Sequence, residues 1–177
     1  MTRVEKRMPG SHGYIHQLNC SGGGVPKLPV AEAQLTQTGL VGDRQRHKTI
    51  HGGPQRALCL YSLELIRALQ AEGHPIYPGS TGENVTVAGL AWQQLAPGHQ
   101  LALGDEVVIE LTSHTKPCRT ISDSFAEGKF ARISQKEHAG ESRLYARVIR
   151  TGRLAVGQQV RVLGGAAAAN ELEGNQS

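Results

Sequence analysis

Glycine and proline interrupt this chain too often for long helices. Glycine occurs 22 times and proline eight times in 177 residues. Each one inside a helix costs roughly 1–3 kcal/mol. The chain must instead fold as short strands joined by many turns. Its core has to be aliphatic, since the aromatic complement is one Trp, four Tyr and two Phe. One domain's worth of residues is present. No apolar run is long enough to span a membrane, and no apolar stretch follows the basic N-terminus as a secretory signal requires. The formal charge of +4 mildly favours anionic ligands. The thin aromatic complement offers few stacking platforms for single-stranded nucleic acid, so no nucleic-acid partner is expected.

Strands are expected over Tyr14–Leu18, Ala31–Thr38, Ala57–Tyr61, Asn84–Val87, Gln100–Leu103, Glu106–Leu111, Leu144–Ile149 and Gln158–Leu163. Gly104-Asp105 is the turn of a hairpin. Ser62 is placed to cap a helix over Leu63–Glu72, with Leu65, Ile66 and Leu69 inward and Gly73 at its end. A second, irregular helix is expected over Ile121–Ser134. About eight strands against one or two helices predict a mostly β fold, a closed or nearly closed β-barrel with a few short helices. Residues 1–12 are expected to form a flexible basic arm, and 164–177 a disordered tail. The segment 39–54 is read as a long loop, a length that is usually functional or disordered.

Four polar segments carry the candidate chemistry: Gly42-Asp43-Arg44, His51-Gly52-Gly53, Thr81-Gly82-Glu83-Asn84 and Ser113–Arg119. Cys118 stands out. It follows a strand in a polar stretch, flanked by Lys116 and Arg119, and cations beside a sulfur favour the thiolate. A thiolate can ligate a metal or act as a nucleophile. Cys59 sits in an apolar run and is read as plain core. Cys20 lies in a glycine-rich loop. Three widely spaced cysteines without a CxxC argue against a disulfide scaffold and for reduced thiols in a cytoplasmic protein. Arg44, Lys116 and Arg119 suit phosphate or carboxylate groups, and Gly52-Gly53 would let backbone N–H groups approach an anion. Asp43 and Glu83-Asn84 are equally turn-formers or functional groups. The spacing of His51, His114 and Cys118 matches no zinc signature.

In order and spacing, these pieces resemble the MOSC family, the molybdenum cofactor sulfurase C-terminal domain. The matching stretches are Gly24-Val25-Pro26-Lys27, Gly39–Arg44, His51–Pro54, Gly82–Leu90, Pro117-Cys118, and Leu144–Val148 running through Gly152 to Gly157. The likeness covers residues 13–163 and points to the small stand-alone bacterial branch. It implies a pyruvate kinase-type β-barrel that binds the pyranopterin molybdenum cofactor. It implies Cys118 as metal ligand and catalytic centre. Gly42, Asp43, Arg44, His51, Gly52, Gly53, Glu83, Asn84, Lys116 and Arg119 would be cofactor-binding, with Asp43 or Glu83 tuning the site or relaying protons. The expected activity is reduction of N-hydroxylated small molecules, of hydroxylaminopurine or amidoxime type. The alternative is a sulfur or cofactor carrier using a Cys118 persulfide without turnover. The chain shows neither the N-terminal barrel of amidoxime-reducing relatives nor a desulfurase domain, so pyridoxal phosphate (PLP) is not expected. With no Fe–S, haem or flavin motif, electrons would come from an external donor protein, or the partner would be a cofactor-handling enzyme. The oligomeric state stays open.

Overall fold

The structure, a computed structural model, describes residues 9–44 and 53–165. Its strands are β1 (His12–Cys20), β2 (Leu28–Val30), β3 (Glu32–Thr36), β4 (Gly39–Leu40), β5 (Leu58–Ser62), β6 (Val85–Ala88), β7 (Gln100–Leu103), β8 (Val107–His114), β9 (Leu144–Arg150), β10 (Gly152–Ala155) and β11 (Gln159–Gly164). Seven of them close a barrel in the order β11-β7-β8-β9-β5-β6-β1, and β1 pairs back onto β11. β2 adds to the outer edge of β1, and β10-β3-β4 form a separate small sheet. Each antiparallel pairing reverses strand direction, so a closed ring needs an even number of them. Seven strands therefore require a parallel pair, and it is β5–β6. Parallel neighbours need a crossover, supplied here by the helix α1 (Leu63–Ala71).

Alternation fills the barrel. Val107, Ile109 and Leu111 of β8 point inward with Leu144, Ala146 and Val148 of β9, and all six are buried. Ile15, Leu18, Leu101, Leu103 and Val160 continue this core from the other strands. Burying each such side chain stabilises the fold by about 1.5–3 kcal/mol. β5 and β6 are buried at every position. Their outer faces are therefore covered too, as befits strands flanking a parallel crossover.

Most expected strands form, and the barrel is closed. The single strand expected over Ala31–Thr38 begins one residue later and ends at Thr36. The chain changes sheets at Ala31, where β2 leaves β1 and β3 turns to pair with β10. β10 (Gly152–Ala155) is not among the strands expected from sequence. Ser62 caps α1 as expected, its hydroxyl accepting from Leu65 N at 3.2 Å. The buried stripe is Leu63, Ile66 and Leu69, with Leu65 only partly covered. The helix expected over Ile121–Ser134 is instead three short 3-10 turns, Arg119–Ser124, Ala126–Gly128 and Phe130–Ile133. Glu127 and Gly128 take φ of 55° and 67°, which ends any helical run there. Ile121, Phe125 and Ile133 pin the turns to the core. The arm expected over 1–12 lies outside the described residues up to residue 8, and β1 begins at His12. The tail lies outside them from residue 166.

Candidate functional site

Six segments converge on one cavity of about 130 Å³. The loop after β1 contributes Gly24, Val25 and Lys27. The residues after β4 contribute Arg44, and β5 contributes Cys59. The entry to β6 brings Thr81, Gly82 and Asn84. Lys116, Cys118, Thr120 and Ile121 come from the segment after β8, and Arg143 and Tyr145 from the start of β9. Burial sorts them. Cys59, Thr81, Asn84 and Arg143 form the floor, while Arg44, Lys116 and Thr120 are exposed at the rim. Cys118 lies between, partly exposed.

Asn84 holds the floor together. Its side-chain carbonyl accepts from Cys59 N at 3.1 Å, and its amide donates to Asp43 Oδ2 at 2.8 Å. Its backbone N–H donates to Cys59 O at 2.7 Å, and its own carbonyl accepts from Asn19 N at 2.8 Å. Asp43 is equally engaged. It accepts from Lys27 Nζ at 2.5 Å and from Ser21 N at 2.9 Å, which ties the loop after β4 to the loop after β1. Glu83 is fully buried and accepts from Gly79 N at 2.7 Å, Thr81 Oγ1 at 2.8 Å and Thr86 Oγ1 at 3.2 Å. Gly79 is required here: its φ is +89°, and a Cβ would stand 2.3 Å from Lys27 O.

Cys118 leaves β8 in an extended conformation with φ −139° and ψ 172°. It is anchored on either side by Thr115 N donating to Arg143 O at 2.9 Å and Ile121 N to Cys118 O at 3.2 Å. Across the cavity, burial pushes the Cys59 thiol up to about 11, against the opposing pull of the Arg143 cation beside it. Burial, reinforced by Cys59, pushes the Tyr145 phenol up to about 12. Tyr145 therefore remains a neutral hydroxyl through the physiological range. The Arg56 guanidinium stands over its ring at 5.4 Å from the centroid.

Of the residues singled out from sequence, Arg44, Asn84, Lys116 and Cys118 meet in the cavity. Gly42, Asp43, Gly53, Glu83 and Arg119 do not line it. Asp43 and Glu83 instead brace its walls, Gly42 is an exposed turn residue with φ +92°, and Gly53 precedes the 3-10 turn Pro54–Arg56. Arg119 is exposed and begins the turn after Cys118. His51 and Gly52 lie outside the described residues. Thr81 and Gly82, from a candidate segment, also line the cavity, while the sequence reading gave no site role to Lys27, Cys59, Arg143 or Tyr145. Arg143 carried a usable signal, a cation immediately before an otherwise apolar strand start. Cys59 carried none, because its apolar neighbours are those of a core residue.

A closed barrel whose cavity carries a partly exposed thiol, cationic side chains and glycines is a β-barrel protein with a candidate ligand site. Residues 47–161 match the MOSC domain, and the chain belongs to that family. It is 30% identical to YflK of Bacillus subtilis over 142 residues, covering 79% of this chain and 63% of YflK. It is 31% identical to YiiM of Escherichia coli over 116 residues, 63% of this chain and 51% of YiiM. A protein named reductase from Gibberella moniliformis shares 28% identity over 131 residues, 71% of this chain but 23% of that protein. The chain thus spans between 23% and 63% of the length of these relatives. The crystal structure of YiiM from Geobacillus stearothermophilus superposes with TM-score 0.66 at 20% identity, covering 93% of this chain and 85% of that one. The YUAD protein of Bacillus subtilis also reaches 0.66, at 16% identity, over 85% of this chain and 95% of its own. These likenesses establish the fold.

Proposed function

We propose that this protein binds the pyranopterin molybdenum cofactor through Cys118 and reduces N-hydroxylated compounds of the hydroxylaminopurine or amidoxime type. The observation that carries the reading is the donor set of the cavity. Among the described residues, no three His, Cys, Asp or Glu side chains gather to hold a metal ion. The cavity offers a partly exposed thiol and, on the same lining, cationic side chains. Such a site suits a metal that arrives with most of its ligands already attached, on an anionic organic carrier. Membership of the MOSC family supports the cofactor, and the relative named reductase supports the reaction class.

When bound, the cofactor supplies the two-electron redox couple. The chain's residues bind and orient. Cys118 provides the sulfur ligand. Arg44 and Lys116 at the rim balance negative charge on the cofactor, and the backbone at Gly24 and Gly82 allows close approach. Tyr145 holds a proton on its phenolic oxygen at the cavity wall. Reduction of an N–OH group consumes two electrons and two protons and yields the N–H compound and water. The electrons come from a separate donor protein.

The test is molybdenum content of protein made in a host that synthesises the cofactor, with Cys118→Ala beside it. Near-stoichiometric metal in the parent and none in the variant is expected; metal retained by the variant refutes Cys118 as ligand. The partial exposure of Cys118 favours one second reading, a persulfide carrier, because a partner's persulfide can reach it and pass on its outer sulfur, leaving the partner's thiol. Absence of metal in both proteins, with Cys118 heavier by one reducible sulfur atom, selects that reading.

A further inference from the structure

His74 stands where the end of α1 meets the turns that follow Cys118. Its N–H donates to Leu69 O at 3.1 Å, which fixes it to the helix end. Both ring nitrogens are engaged. Nδ1 accepts from Ala126 N at 3.1 Å. Nε2 lies 3.5 Å from Glu72 Oε2, and the side chain is only 10% exposed. The ring packs edge-on against Phe125 of the core, with centroids 5.4 Å apart. A backbone N–H can only donate, so Nδ1 carries no proton here, and the proton of the neutral ring sits on Nε2 facing Glu72. The other charges nearby are already paired. Arg132, from the turn Phe130–Ile133, forks Glu72 at 2.9 and 2.7 Å and reaches Glu141 Oε2 at 2.5 Å. Glu127 and Lys129 pair with each other. The hydrogen bonds from Arg132 hold the Glu72 carboxyl below the usual carboxylate range, so Glu72 stays an anion at about pH 5.

We infer that His74 is a pH-sensitive clasp: neutral, it holds the turn Ala126–Gly128 to the end of α1, and protonated, it turns to Glu72 and releases that turn. A proton on Nδ1 sets one N–H against another at Ala126 and removes the acceptor. Both ring nitrogens then only donate, and the Glu72 carboxylate is the acceptor at hand. The release is local. Arg132 still forks Glu72 on one side of the turn, and Ser124 Oγ still donates to Ser80 O at 3.2 Å on the other. The same run of turns starts at Cys118 and puts Thr120 and Ile121 on the cavity lining. The clasp thus acts on the segment that carries one cavity wall, whatever the cavity binds.

The experiment is amide hydrogen exchange of the full chain, read residue by residue by NMR between about pH 7.5 and about pH 5, the range in which histidine ordinarily takes up its proton. Each rate is divided by that of an unstructured amide at the same pH. No molybdenum is added, so this test and that of the molybdenum reading fail independently. On the corrected scale the Ala126 amide should exchange at least about tenfold faster at the acid end, while Ile109 of β8 and Val148 of β9 keep their protection. The ring protons of His74 should shift over the same pH interval. His74→Phe keeps a ring against Phe125 without either nitrogen, and its Ala126 amide should exchange fast at both ends of the range. The two readouts on the parent decide the matter even where this variant does not fold. An Ala126 rate indifferent to pH overturns the inference. So does a rate change out of step with the His74 ring, a loss of protection shared by β8 and β9, or a pH dependence that persists in His74→Phe.

Discussion

The Lys27–Asp43 pair braces the cavity, and its strength can be worked out from its surroundings. The two side chains are 9% and 4% exposed and meet at 2.5 Å. Asp43→Ala strands the Lys27 ammonium in the interior, which costs about 3–5 kcal/mol for a broken buried pair. It also leaves Ser21 N and the Asn84 amide without their acceptor, for about 1 kcal/mol more. Lys27→Met is milder at about 2–3 kcal/mol, because the carboxylate keeps those two donors. The double variant strands no charge. It should lose only about 3 kcal/mol, well short of the sum of the single losses. Urea unfolding reads this directly. With a slope of about 2 kcal/mol per molar, Asp43→Ala should lower the midpoint by about 2–3 M. Losses that add within about 0.5 kcal/mol in the double variant would show that the two charges act independently and refute the pairing argument.

Two other perturbations test the same region. Gly79→Ala forces a side chain into a left-handed backbone at φ +89° and against Lys27 O. It should cost at least about 2 kcal/mol, lowering the thermal midpoint by roughly 4–8 °C; a midpoint unchanged in calorimetry would contradict the packing described. The alkaline limb follows from Cys59 and Tyr145, raised from 9.0 to about 11 and from 10.0 to about 12. The unfolded chain releases these protons first, so stability is full below pH 9 and falls as pH rises to about 12. Cys59→Ala should flatten the part of this fall between pH 9 and 11, and urea midpoints with the same slope in both proteins would refute the assignment.

Local pattern explains what could be read in advance. The hairpin over β7 and β8 was legible because alternation and a Gly-Asp turn lie within a dozen residues, and Leu103 duly pairs with Val107. Closure was legible only as a strand count. The pairing that achieves it joins His12 to Arg161, nearly the whole chain apart, and no local signal encodes it. β10 was illegible because its four residues gain their order from pairing with β3. The turns after Cys118 misled because helix formers there meet a left-handed Glu127-Gly128 step.

The site divides in the same way. Cys118, Lys116, Arg44 and Asn84 stand near turn signals in polar stretches, where side chains are free to face a ligand. Arg143 and Cys59 become part of the site only because β9 pairs with β5, which sets Cys59 opposite Tyr145. The acids are the instructive case. Asp43 and Glu83 sit in the most recognisable segments of the chain, yet every partner they have is a donor from the protein itself. Carboxylates so occupied tie the surrounding loops together. With the acids turned into the walls and the bases left on the lining, the cavity acquires a positive field from a chain whose overall charge is small. That separation, rather than net charge, is what would favour an anionic ligand here.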